Sequence, residues 1–133
     1  MKYLLLTIGL VVCACTARSN NTATAQKIFD AFNAHDWERM MSFYDDDARF
    51  EDPAYKQAVT PQQVARHHAD LEQMFPDIKD SVVHMYGFGN VVVVEFISTG
   101  TASDGQAFSL PICTVLEFDN GRVVRDATYY DNN

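Results

Sequence analysis

Apolar residues recur every three or four positions at Ala25, Ile28, Phe29 and Phe32, a spacing that predicts a first helix with one buried stripe. Asn33-Ala34-His35 interrupts it. Asp36 can then cap a second helix, with Glu38 in its first turn and Trp37, Met40, Met41 and Tyr44 on its buried face. The acids Asp45-Asp46-Asp47 oppose the dipole at that helix's C-terminus and favour its ending there. Residues 48–51 predict a short strand, closed by Asp52-Pro53. Thr60-Pro61-Gln62-Gln63 combines an N-cap, a proline at the first helical position and a capping box, so a third helix starts here. It runs to about Met74, before Pro76. Val64, Leu71, Met74 and Phe75 form its apolar face, and His67 and His68 fall on the same side.

The pattern then changes period. Residues 81–86, 91–99, 106–118 and 122–130 are rich in Val, Ile, Phe, Thr and Tyr and predict four strands. Gly87-Phe88-Gly89-Asn90, Ser103-Asp104-Gly105 and Asp119-Asn120-Gly121 mark the turns between them. Pro111 inside the third run implies a bulge or an edge position. Helices first and an antiparallel meander after predict an α+β domain, with helices packed on one face of a curved sheet.

The N-terminus changes where this domain is expected to work. Lys2, an apolar run from Tyr3 to Val12 and small residues before Cys15 have the form of a secretory signal segment. The run is too short to span a bilayer as a helix. Val12-Cys13-Ala14-Cys15 resembles a bacterial lipobox, with Cys15 as the acylated residue. The expected organisation is a signal peptide over 1–14, a polar tether over 15–24 from lipidated Cys15, and one domain over 25–133. Such a lipoprotein faces the periplasm or the cell exterior, with a membrane as partner through its acyl chains. Cleavage removes Lys2 and takes the net charge from −8 to −9, which argues against nucleic acid as a partner. Cys113 is then left alone, without an internal disulfide, in an apolar pattern that suits a small buried hydrophobe.

Several residues could carry chemistry. Pro53 holds Asp52 extended, so its carboxylate either enters an apolar cavity as a general base or bonds to its own turn. Asp131 follows Tyr129-Tyr130 at a strand end, where it is either an acid/base beside two phenols or a solvated acid. Asp126 is a weaker candidate, explained as well by a surface pair with a basic residue. His67 and His68 on an apolar face can orient a ligand or sit in the core, and His84 alternates with Val82 and Tyr86 on one strand face. Glu95 interrupts Val91–Ile97 and is either a buried, paired acid or the mark of an exposed sheet surface. Adjacent histidines on a helix diverge by about 100°, so His67 and His68 do not suit one metal ion. With no phosphate loop and no paired-cysteine spacing, no metal and no cofactor are expected.

Taken together, His35-Asp36-Trp37, Phe43-Tyr44-Asp45-Asp46-Asp47-Ala48, Phe50-Glu51-Asp52-Pro53 and Phe75-Pro76-Asp77 resemble the SnoaL-like and ketosteroid-isomerase-like proteins of the nuclear transport factor 2-like superfamily. Thr99-Gly100-Thr101, Phe118-Asp119-Asn120-Gly121-Arg122-Val123-Val124 and Tyr129-Tyr130-Asp131 extend the similarity to nearly the whole domain. The resemblance implies a cone of strongly curved, antiparallel or mixed sheet, closed by three helices around an apolar pocket, and a homodimer through the sheet. The pocket is expected to bind a small hydrophobic molecule, with Trp37, Tyr44, Phe50, His67, His68, His84 and Tyr130 as ligand-binding residues. The alternative is a cyclase, isomerase or hydrolase type of enzyme. There Asp52 matches the base of ketosteroid-isomerase-like proteins, and Asp131 is similar in place to the acid/base of SnoaL-like cyclases. Ile28 and Cys113 stand where ketosteroid-isomerase-like enzymes carry oxyanion donors.

Overall fold

The structure, a computed structural model, describes residues 20–131. The expected signal segment and Cys15 lie outside the described residues.

Helix α1 spans Asn21–Asn33. It begins four residues before the apolar stripe, because Asn21 is itself buried and donates from Nδ2 to the Gly89 carbonyl at 3.4 Å. The last residues assigned to the tether are thus its first turn. Ala25, Ile28, Phe29 and Phe32 are buried as the spacing predicts. The chain reverses through His35, at a φ of 53°. Asp36 then caps α2, a short helix over Trp37–Met41, accepting from the Arg39 amide at 3.0 Å.

The next segment differs from expectation. Tyr44 is buried, but as the first residue of strand β1, Tyr44–Glu51, and not on a helix face. Asp45, Asp46 and Asp47 do not end a helix; they lie within this strand, where the register against its neighbour shifts between Tyr44 and Arg49. Long-range pairing overrides the local preference. The Val123 amide donates to the Phe43 carbonyl at 3.0 Å, and the Arg122 guanidinium donates to the Tyr44 carbonyl. Acids on this edge strand also discourage pairing with another chain.

Helix α3, Pro61–Met74, has the full capping box. Thr60 accepts from the Gln63 amide, and the Gln63 side chain accepts from the Thr60 amide at 2.9 Å. Thr60→Ala removes one half of the box and is expected to destabilise the domain by about 1 kcal/mol, a fall of about 4–8 °C in melting temperature by calorimetry. An unchanged transition would show that the cap carries no weight here.

Strands β2 (Lys79–Phe88), β3 (Val91–Thr101), β4 (Ala107–Asp119) and β5 (Arg122–Tyr129) complete an open five-stranded sheet in the order β1-β5-β4-β3-β2. Only β1 and β5 run parallel, so the sheet is mixed and the fold α+β. Pro111 sits in regular register opposite Ile97. Pairing of β4 with β5 ends at Cys113–Tyr129, so at Pro111 β4 has β3 on one side alone and the missing N–H is tolerated. Even-numbered residues of β3 and β4, from Val92 to Ser98 and from Phe108 to Phe118, face the helices and the core. Odd-numbered residues face outward. Cys113 is half-buried on that outer side, opposite Glu95.

Candidate functional site

The helices do not fill the concave face of the sheet. They leave a cavity of ≈ 270 Å³ walled mainly by apolar and aromatic side chains, among them Ile28, Phe29, Phe50, Phe96, Ile112 and Leu116. Polar groups gather at two places on that wall.

The first centres on Asp126. Its Oδ2 accepts from the Tyr44 hydroxyl at 2.8 Å, and its Oδ1 accepts from the hydroxyls of Thr114 at 2.5 Å and Thr128 at 3.3 Å. Burial pushes this carboxyl above its ordinary range; the three hydroxyls oppose the shift, and the charge of Asp52 adds to it. Burial, then the Asp126 charge and hydrogen bond, drive the Tyr44 phenol well up, so it stays a donor. Asp52 lies alongside. Its Oδ1 takes a hydrogen bond of 2.7 Å from the Ala54 amide, closing the turn, and another of 2.7 Å from the Tyr130 hydroxyl. Burial, then Asp52, push Tyr130 up to about 12. Asp52 thus closes its own turn and also lines the cavity.

The second place is beside the C-terminal turn of α1. The Asn33 side chain clamps the backbone of Asp80, donating to its carbonyl and accepting from its amide, both at 2.8 Å. Asp80 lines the cavity and is 8% exposed. Burial pushes its carboxyl up to about 6, against the hydrogen bond from Ser98. Its Oδ1 has no hydrogen-bond partner among the described residues. His68 packs edge-on to Phe32 with ring centroids 5.3 Å apart, and its Nδ1 is likewise unpartnered. Burial, then the neighbouring His67, lower His68 to about 4, so it is neutral at pH 7. A buried polar atom without a partner costs about 1–3 kcal/mol.

Of the residues expected at the site, Tyr44, Phe50, Asp52, His67, His68 and Tyr130 line the cavity. Trp37 does not. It braces the wall from behind, stacked on His35, packed against Phe32 and His68, and donating from Nε1 to Glu72 at 2.9 Å. His84 faces outward, 57% exposed, with Nδ1 3.0 Å from Glu95. This resolves Glu95 as a residue of the exposed sheet surface, because β2 and β3 carry both side chains on the outer face. Asp131 is exposed and lies outside the cavity wall, since the chain has left β5 two residues earlier. The strand's inward acid is Asp126, in phase with Thr128 and Tyr130. Asp126 forms no surface pair with a basic residue among the described residues: the hydroxyls of Tyr44, Thr114 and Thr128 hold it, while the neighbouring Arg125 pairs with Glu51 and Glu117, each at 2.7 Å. Asp80 was missed altogether, although Ile78 and Val82 flank it at the period of two that marks a strand's inner face. Ile28 lines the cavity, whereas Cys113 faces away and the hydroxyl of Thr114 takes the inward position.

Among the described residues, Glu51, Asp52, Asp80 and Asp126 contribute to the wall, and no Lys or Arg does. No group of three or more His, Cys, Asp or Glu among them is placed to hold a metal ion. No helix among them is long and apolar enough to cross a membrane.

Solved structures share this fold. A protein from Jannaschia sp. CCS1 assigned as a SnoaL-like polyketide cyclase superposes with a TM-score of 0.75 at 21% identity, covering 86% of this chain and 87% of its own. One from Xanthomonas campestris pv. campestris assigned as a polyketide cyclase gives 0.74 at 19% identity, over 86% and 92% of the two chains. A hypothetical protein from Catenulispora acidiphila DSM 44928 with a ketosteroid isomerase-like fold, in complex with trimethylamine, gives 0.74 at 18% identity, over 82% and 85%. At these identities the likeness establishes the fold. No curated protein matches the chain in sequence. The SnoaL-like domain family matches residues 25–126, nearly all of the folded region, and the chain belongs to it.

Proposed function

We propose that the cavity binds a small, largely apolar molecule and that Asp126 moves a proton on it. The observation that carries this reading is a carboxyl raised by burial, gripped by three hydroxyls, in the wall of an otherwise apolar cavity. An ionised Asp126 can take a proton from carbon next to a carbonyl, and the protonated acid can return it. Tyr44 and Thr114 hold the carboxylate in place. Tyr130, bonded to Asp52 and kept protonated, supplies a hydroxyl beside it. This is the chemistry of a cyclase or isomerase, and solved structures of this fold, those from Jannaschia and Xanthomonas among them, carry a cyclase assignment. The test is exchange of α-protons in D₂O, followed by proton NMR, for a panel of small apolar ketones. Acceleration over buffer supports the reading. Ketones that bind, seen as shifted aromatic resonances, yet exchange no faster than in buffer would make the protein a carrier.

The same proposal places the domain outside the cytoplasm, tethered by lipidated Cys15, a reading supported by the lipobox-like Val12-Cys13-Ala14-Cys15. It also pairs two copies through the outer face of the sheet, where Tyr86, Ile97 and Tyr129 are exposed. Sedimentation of the soluble domain is expected to show a dimer, and Ile97→Glu should weaken it about tenfold or more by setting acids against acids. A wild-type monomer at high concentration would remove this part of the reading.

A further inference from the structure

The second polar place in the cavity has no part in the proton transfer just proposed. Asp80 opposes Ser98 of β3, which opposes Leu110 of β4. Asp126 of β5 opposes Leu116. The two acids therefore lie on opposite sides of β4 and six residues apart along it, so one small polar group does not serve both.

Resting on the cavity-binding reading, we infer that Asp80, with Ser98 and His68, receives a protonated amine, so that the ligand is a small apolar amine. Three observations converge on this. Asp80 is a buried acid with one carboxylate oxygen unpartnered, and a buried carboxylate is satisfied by a countercharge. The protein brings none, since no Lys or Arg among the described residues lines the cavity. The surroundings suit a cation and reject an anion. Three further acids share the wall, and the rings of Phe32 and Phe96 lie in it, aromatic surface of the kind that attracts an ammonium group. His68 lines the same cavity, neutral and with an unpartnered Nδ1, which accepts from an N–H donor in the tautomer that carries its proton on Nε2. Ser98 already bonds Asp80 and holds its carboxylate in place.

The test compares three molecules with one body and different ends: 2-phenylethylamine, 2-phenylethanol and phenylacetate. Each is titrated by NMR into the wild-type domain and into Asp80→Asn at pH 7.5. The amine is expected to bind at least about tenfold more tightly than the alcohol, with phenylacetate weakest. Asp80→Asn should bring the amine down to the alcohol's affinity and leave the alcohol within about twofold. An alcohol or acid that binds wild type as tightly as the amine overturns the assignment while leaving the cavity reading intact. An amine preference that survives Asp80→Asn also overturns it, because the cation then rests on another acid. If none of the three binds, the cavity-binding reading fails and this inference fails with it.

Discussion

Asp126→Asn should slow α-proton exchange by about 10²–10⁴-fold, the range expected when a positioned acid/base is lost. The protein should stay folded. Asn has nearly the shape of Asp, its carbonyl can still accept from Tyr44, and hydroxyls such as those of Thr114 and Thr128 can turn to accept from its amide. The pH profile adds a sharper signature. A general base works only when ionised, and burial holds Asp126 above the ordinary carboxylate range. The wild-type rate should therefore rise with pH through a midpoint above that of an exposed aspartate. Asp52→Asn removes a negative charge that raises Asp126, so the midpoint should move to lower pH. Full exchange activity in Asp126→Asn, measured on the same ketone, would reduce Asp126 to a pin joining β5 to Tyr44 and Thr114.

The elements most legible in the sequence are those decided locally. The capping box at Thr60 needs four consecutive residues and is present as read. The turns at Gly89, Gly105 and Gly121 need positive φ, and the chain adopts it at all three. Tyr44 shows where local reading stops. Its burial follows from its size, but its strand is set by partners near Val123, almost eighty positions away. The acids show the same limit more strongly. Asp131, Asp52 and Asp126 are all near strand ends or within strands, and their composition is identical. Which of them meets the cavity depends on where β5 stops and on the face that register gives each position. Two residues separate inward Tyr130 from the Asp126–Thr128 series only in the sense of the next step of the same face, while Asp131 belongs to the other phase. His84 alternates as a strand should, yet the alternation does not say which side is inside; its neighbour Glu95 settles that only once β2 and β3 are in register.

Asp80→Asn is expected to stabilise the domain at neutral pH by up to about 3 kcal/mol and to leave it unchanged near pH 4. The carboxyl moves from an ordinary 3.8 to about 6 on folding, because burial penalises its charge. The folded state therefore binds the proton more tightly than the unfolded chain. Stability is greatest where Asp80 is protonated in both states, falls as pH rises between about 4 and 6, and stays low above that. Asn mimics the protonated form at every pH, so the gap between the variants opens across the same window. About 3 kcal/mol is an upper value, since the Asn amide brings a donor of its own into the site. Urea unfolding at pH 4 and pH 7.5 measures both points, and an equal difference at the two would show that Asp80 is not an uncompensated acid. The sign matters for function. Side chains that weaken a fold in the free state and gain a partner only when a ligand arrives mark binding sites. A saturating amine should accordingly raise the wild-type unfolding midpoint at pH 7.5 by more than that of Asp80→Asn, while the alcohol shifts both alike.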